Sequence, residues 1–516
     1  MLTFFRSLKP WQQWLLIAAM LQALFVIIAS LESPVFDKHT FRQSQVGLTI
    51  YWLAQGGPWL AYETPVLGYP WSIPMEFPVY QLMVAGISWL TVPSIDVAGR
   101  LVGFFFYLGV LPVAVRLARH FEVDSQKVFF FCLFYLVSPF FLFWGRTVMI
   151  ESTAVFFSLV WLFALIKALE GDSDIIANKI LWFLFAILAG VLGALTKVTT
   201  FFVFGIAGGI YVLLYLYQRQ LLTTTRSLLP LGASLVIVSV PLLAIVLFTG
   251  YADDLKRTHP VASFLTSDSM AAWNYGTLEQ RLDVSNWGEL TYRLLKKLIG
   301  PGSLVLLVCA VFLRWTRREL FLAGILLFVY ISPFLVFFNL HVHHDYYQYA
   351  NYIFALVLFS WIMAKVYEQF SGNKPRNILI SVMVLAIAQF YASYFSKMNN
   401  PGSIEVENYV EQQTKPSQAI MVFGFDWSSE VAYYSERKSL TFPAMVDENK
   451  TREILDNPTT YLGGMPLGAI VVLKGKVPKQ HDRALTDYFA RVSSTKRCFG
   501  DHCVYTKFRS NTDQGI

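Results

Sequence analysis

The chain has 516 residues, 55% of them hydrophobic and only 15% charged, against about 25% charged in an ordinary soluble domain. That balance excludes an ordinary soluble protein, because the apolar residues gather in runs of about 20, the length that crosses a bilayer as helix. The net charge of +7 does not point to nucleic acid: membrane proteins collect Lys and Arg in cytoplasmic loops, and no stretch interleaves basic and aromatic residues in a soluble context.

Arg6 and Lys9 precede the first apolar run, 11–31. It is too long for the core of a signal peptide and no small-residue cleavage site follows it, so an uncleaved first span is expected. About eleven spans are expected in all, at 11–31, 98–118, 127–144, 149–168, 179–196, 198–217, 227–249, 298–314, 320–340, 347–366 and 377–395. The basic clusters 116–121, 218–226, 314–319 and 374–376 then share one side with the N-terminus, which the positive-inside rule makes the cytoplasmic side. Counting 79–93 as a full span would put every one of them outside. That segment is short, and it is expected to lie in the membrane interface instead.

With this threading the outer face carries two long loops, 32–97 and 250–297, and a tail, 397–516. The expected domains are thus a membrane domain, 1–396, and a small α/β domain after it. In the tail, "AIMVFGF" and "LGAIVVLKG" read as buried strands, "KQHDRALTDYFARV" as a helix, and "KRCFGDHCVYTKF" as a closing hairpin. Cys498 and Cys503 can close that hairpin with a disulfide in an oxidising compartment, or stay as two thiols. Cys132 and Cys309 lie inside apolar runs and read as packing residues.

No ionisable residue falls near the middle of an expected span. Transporters and proton pumps place such groups near the midplane, so transport is disfavoured. An outward site at headgroup level suits an enzyme whose substrate has a lipid tail and a polar, phosphorylated head.

The candidate residues cluster on that face, and each has a plainer reading. Asp37, about six residues past the first span, is placed to be a general base on an acceptor hydroxyl; it can equally be a loop cap. Arg42 can bind phosphate or be a surface charge. Glu76, in "MEFPVY", is a substrate or metal ligand, or a residue complementing a helix dipole. Arg146 and Glu151 share one tight turn in "WGRTVMIES", and a local ion pair or a snorkelling Arg explains them as well. Lys197 sits alone in "LTKVTT" against the positive-inside trend, where an ammonium beside two Thr hydroxyls can cradle a phosphate or merely anchor a span. "NLHVHHDYYQY" gathers three of the eight histidines. Its tyrosines fit an interfacial aromatic belt, which leaves His343, His344 and Asp345 for substrate or metal.

Taken in order, "FDKHTFRQSQ" with "EFPVYQ", then "GRTVMIES", "LTKVTT" and "HDYYQYAN", resemble the bacterial GT-C glycosyltransferases related to protein O-mannosyltransferases and to the lipid A aminoarabinose transferase. The resemblance covers roughly 1–396. It implies the GT-C fold and an inverting enzyme of the bacterial inner membrane, its site and tail facing the periplasm. A sugar would move from a polyprenyl-phosphate-linked donor to an envelope acceptor: lipopolysaccharide, a wall polymer or a protein. Asp37 would be the base; Lys197, with Arg146 or Arg42, would hold the donor phosphate. Glu76, Glu151, His343, His344, Asp345 and Tyr346 would contact substrate. Metal use varies within the superfamily, which leaves a divalent cation open, with Glu76 and His344 as candidate ligands. One departure bears on a protein acceptor: the protein mannosyltransferases carry an Asp-Glu pair in the first loop, whereas Lys38 follows Asp37 here. The competing classes are a flippase for polyprenyl-linked glycans and a non-enzymatic assembly protein.

Overall fold

A computed structural model of the chain describes residues 1–90, 94–170, 176–221, 228–399 and 402–510. The chain forms two compact units. One holds Met1–Glu32, Arg100–Phe248 and Met270–Asn399; the other holds Ser33–Gly99, Thr249–Ser269 and Asn400–Ile516. The division expected at 396/397 follows the end of the last span, whereas the compact units assign the first outer loop and part of the second to the same unit as the tail.

Among the described residues, eight helices are long and apolar enough to cross a membrane: Pro10–Ser30, Ile95–His120, Glu151–Glu170, Ala177–Thr196, Val198–Gln218, Leu228–Arg257, Arg317–Val336 and Lys374–Met398. One further apolar pair, Val284–Leu298 and Gly302–Val311, is bent by 104°, the form of a broken span or a re-entrant loop. The other expected spans are modified for visible reasons. Run 127–144 is two helices, Ser125–Val137 and Pro139–Trp144. Pro139 has no N–H to continue the first, and the Ser138 hydroxyl caps the second by accepting from the Phe141 amide at 3.2 Å. Run 298–314 is the second arm of the bent pair; the chain turns at Gly300, with φ of 60°, and Pro301. Run 347–366 starts with a single 3-10 stretch, Asp345–Tyr349, before the helix Asn351–Gln369, whose last turns carry Lys365, Glu368 and Gln369. The short helix expected at 79–93 spans Val79–Leu90 and belongs to the second unit. Residues 91–93, and 222–226 of the basic cluster at 218–226, lie outside the described residues.

The helical unit has one continuous apolar core dominated by aromatic side chains, among them Phe129, Phe130, Phe134, Phe140, Phe141 and Trp161. Backbones approach closely at Gly145, where an added Cβ would sit 2.6 Å from the Tyr107 ring and 2.7 Å from the Phe141 carbonyl. The turn that follows, 145–150, is therefore set tightly against its neighbours.

The second unit is built on a five-stranded sheet: β1 Ala419–Phe423, β2 Ser439–Thr441, β3 Leu467–Leu473, β4 Val492–Phe499 and β5 His502–Ser510, in the order β2-β1-β3-β5-β4. β1 pairs with β2 and β3 in parallel; β5 pairs with β3 and β4 antiparallel. Alternate residues of β1 and β3 face opposite cores. Met421, Phe423, Ile470 and Val472 pack with Ile454, Leu455 and Leu485, whereas Ile420, Val422, Ala469 and Val471 pack with Val406, Val410 and Val431. Burial on both faces is why these strands read as unbroken apolar runs.

The outer edge of β2 is covered by the first loop. Ser439 and Thr441 donate their amides to the Pro65 and Val66 carbonyls at 3.0 and 2.7 Å, and the Gly68 amide returns to Ser439 at 3.0 Å. This pairing removes an exposed sheet edge. Gly68 then turns with φ of 85°, where a Cβ would lie 2.8 Å from the Tyr461 carbonyl. The chain is thus a polytopic α-helical membrane protein with a small α/β C-terminal domain, to whose compact unit Ser33–Gly99 and Thr249–Ser269 also belong.

Cys498 and Cys503 face each other across the β4–β5 hairpin and form a disulfide; Cys132 and Cys309 are buried and free. A loop this short contributes about 2 kcal/mol at most in the chain-entropy account. Cys498→Ser is therefore expected to leave a folded protein whose second unit unfolds at modestly lower denaturant. Loss of folding altogether would contradict this, as would alkylation of Cys498 and Cys503 in the unreduced native protein.

Candidate active site

The sequence candidates fall into two clusters, one in each unit. In the second unit Asp37 is 7% exposed. One of its oxygens accepts from the Lys38 amide at 2.8 Å and from Gln43 Nε2 at 2.9 Å. Gln43, which is fully buried, also donates to the Lys38 carbonyl at 2.7 Å. The turn is completed by His39, whose φ of 49° starts the helix Thr40–Ala54.

This seat is pinned from the tail. The Val35 amide donates to the Tyr434 hydroxyl at 2.7 Å, and Phe36 meets the same ring edge-on at 5.1 Å. Tyr433 and Tyr434 in turn donate to the two oxygens of buried Asp96 at 2.6 and 2.7 Å. Two charge-assisted hydrogen bonds of this kind are among the stronger polar contacts a fold makes.

Arg42 and Glu76 belong to the same unit and to each other. Arg42 Nη2 lies 2.7 Å from Glu76 Oε2, and the second Glu76 oxygen accepts from Gln81 at 2.9 Å. One carboxylate oxygen thus ties Glu76 to the helix Thr40–Ala54 and the other to the helix Val79–Leu90. Among the described residues no group of three or more His, Cys, Asp or Glu is arranged to hold a metal ion.

In the helical unit Arg146, Thr147 and Glu151 are all buried in the turn that opens the helix Glu151–Glu170. The Arg146 guanidinium lies 4.7 Å from the centre of the Phe143 ring. Glu151 pairs with Lys197, 46 residues further on, at 2.6 Å. Lys197 occupies the extended residue between the helices ending at Thr196 and starting at Val198. Its ammonium sits 4.0 Å from the centre of the Tyr347 ring and 5.0 Å from that of Tyr346, a cation–π box. The Thr199 hydroxyl in the same turn and the second Glu151 oxygen are buried without a hydrogen-bond partner among the described residues.

The stretch that stood out in the sequence forms one wall of this cluster. His344, Tyr346 and Tyr347 stack in series at 5.3 and 4.8 Å. His343 is exposed and stacks on Trp273 at 5.2 Å. Asp345 is buried and takes an ion pair from Lys297 at 2.8 Å. Arg293 donates to the His341 and Val342 carbonyls at 2.9 and 2.7 Å, which fixes the turn.

Sequence reasoning passed over four of these residues. Trp273 and Arg293 lie in the 250–297 loop and gave no signal, and Lys297 hid in a basic run. His341 stood in view within "HVHHD". It is buried, and neither ring nitrogen has a hydrogen-bond partner among the described residues. Burial, with Lys197 and Arg293 nearby, pushes its pKa down to about 3. The neutral imidazole is therefore the resident form at any ordinary pH.

Two outcomes follow from these geometries. Removing one partner of a buried ion pair strands the other, at a cost of about 3–5 kcal/mol. Lys197→Met is thus expected to lower the melting temperature in detergent, and Lys197→Met/Glu151→Gln to recover most of it. Equal loss in the single and double variants would contradict the pairing. For His341, the unfolded chain takes up a proton near pH 6.5 while the folded chain resists until about pH 3. Stability present above pH 6.5 is therefore lost as pH falls, by up to about 1.4 kcal/mol per unit. Between pH 7 and 5 the wild type should lose more thermal stability than His341→Gln; parallel profiles would show that His341 titrates normally.

The sequence matches no protein-family model and no curated protein. Its structure is similar to that of ArnT from Cupriavidus metallidurans in the apo state, with a TM-score of 0.61 at 13% identity over 95% of this chain and 97% of that one. The same protein bound to undecaprenyl phosphate matches with a TM-score of 0.59, also at 13% identity and the same coverage. The apo oligosaccharyltransferase of Archaeoglobus fulgidus matches with a TM-score of 0.54 at 11% identity, over 90% of this chain and 69% of that one. At these identities the likeness is one of architecture: the chain has the GT-C fold of polytopic membrane glycosyltransferases.

Proposed function

We propose that this protein is an inverting glycosyltransferase that moves a sugar from a polyprenyl-phosphate-linked donor to an envelope acceptor, which is lipid-linked, a polymer or a protein. The GT-C architecture supports the reaction class, and the neighbour that binds undecaprenyl phosphate supports the kind of donor. The observation that carries the reading is Lys197: a buried ammonium at a helix junction, seated on two tyrosine rings beside a partnerless Thr199 hydroxyl.

In the reaction the acceptor oxygen attacks the anomeric carbon in line with the departing bond. The carbon–phosphate oxygen bond breaks, and polyprenyl phosphate leaves with the bonding pair. Negative charge grows on the leaving phosphate, which is where a preplaced ammonium is worth most. Lys197 takes that role, with Arg146 or Arg42 assisting, and Glu151 fixes the ammonium's position. The acceptor hydroxyl loses its proton only as the new bond forms, so a carboxylate suffices as base. Asp37 takes that proton: its loop is held by Gln43 and by the Tyr434 hydroxyl. His343, His344, Asp345 and Tyr346 serve the sugar or the phosphate. The outer side of the bacterial inner membrane is the proposed location.

Asp37→Asn keeps the size and most of the hydrogen bonding but removes the basicity. It is expected to bind donor normally and to turn over about 10²–10⁴-fold more slowly. Lys197→Met/Glu151→Gln should instead weaken donor binding in a folded protein. If Asp37→Asn keeps most of its turnover the base lies elsewhere; unchanged donor affinity in the double variant would move the phosphate off Lys197.

A further inference from the structure

A groove of the helical unit lies away from this cluster, at the opposite ends of the helices. It is an open groove of about 610 Å³ between the first span, Pro10–Ser30, and the last, Lys374–Met398. Its mouth is cationic: Lys9 and Arg376 both line it and both are exposed. Trp11 and Tyr367 stand at the same level, stacked at 5.8 Å, as aromatic residues do at a membrane interface. Below them the walls are almost wholly apolar. The first span contributes small side chains, Ala18 and Ala19, where its neighbours are larger, and Met383 and Val384 face them from the last span. The lined stretch runs from Lys9 to Gln22, fourteen residues or about 20 Å of helix, close to half of a bilayer about 40–45 Å thick with its headgroup regions.

We propose that this groove binds one anionic phospholipid, drawn from the leaflet opposite the candidate active site. The lipid phosphate meets Lys9 and Arg376, and an acyl chain lies along the Ala18–Ala19 floor. Charge complementarity selects the headgroup: two cations within one groove mouth favour a phosphate that carries net charge over a zwitterion. The groove's depth matches one leaflet, which suits a phospholipid rather than a chain that spans both.

The test is native mass spectrometry of the full-length protein, delipidated in neutral detergent and titrated with phosphatidylglycerol or phosphatidylcholine of identical acyl chains. The wild type should retain one phosphatidylglycerol and bind it about tenfold more tightly than phosphatidylcholine. Lys9→Gln/Arg376→Gln should abolish that preference, and Ala18→Trp should reduce binding of both lipids by obstructing the floor. Both changes are at exposed positions, and circular dichroism will confirm the fold. Equal affinity for the two lipids in the wild type would overturn the proposal. So would an unchanged preference in the double variant, or a dimer mass that Ala18→Trp abolishes.

Discussion

A helix that crosses hydrocarbon has no place for an unpaired charge in its middle, and the ionisable groups of the candidate site lie where helices begin or end. Glu151 is the first residue of its helix, and Lys197 separates two others. His341 and Asp345 follow the end of the helix Arg317–Val336. Within that limit the buried Lys197–Glu151 pair is the most demanding contact. Bringing two charges out of water costs several kcal/mol each, and their attraction returns this only with good geometry. A pair at 2.6 Å between groups 9% and 2% exposed is therefore a poor choice for stability alone. The proposed function gives it a use, as a fixed cation kept ready for a substrate's charge.

The second unit meets a different requirement. Asp37, the proposed base, lies on an irregular loop, and a loop by itself would hold a carboxylate loosely. The fold holds this one by contacts from distant sequence: Gln43 from the following helix, Tyr434 from the tail, and Asp96 joining the tyrosines to the loop's far end. The same division of labour covers β2, whose edge is finished by 65–68 of the first loop. The tail is thus part of the structure that shapes the first outer loop.

Much of this was legible in the chain. Apolar runs marked the spans, the short unbroken apolar runs of β1 and β3 marked the sheet, and the cysteine spacing marked the hairpin. Polar residues at span ends marked Lys197, Arg146 and the 341–347 turn. What stayed hidden was non-local. The three-residue strand β2 has no periodicity to detect, and Trp273 is an ordinary loop tryptophan until His343 stacks on it. The partner of Glu151 could not be read from its neighbourhood, where Arg146 was the nearer cation. Two expected spans are not single long helices: Ser138–Pro139 divides 127–144, and 298–314 is the second arm of a pair bent at Gly300–Pro301.

Glycosyl transfer itself is the central claim, and release of the carrier tests it most directly. Purified protein in lipid nanodiscs would be given a sugar-loaded polyprenyl-phosphate carrier and an envelope extract as acceptor, and polyprenyl phosphate and glycosylated product would be counted by mass spectrometry. The expected result is one polyprenyl phosphate released for each sugar transferred, with inverted anomeric configuration in the product. A carrier that stays intact, whether it remains in place or crosses the bilayer of a proteoliposome with its sugar attached, would contradict the account and leave a flippase or an assembly protein in its place.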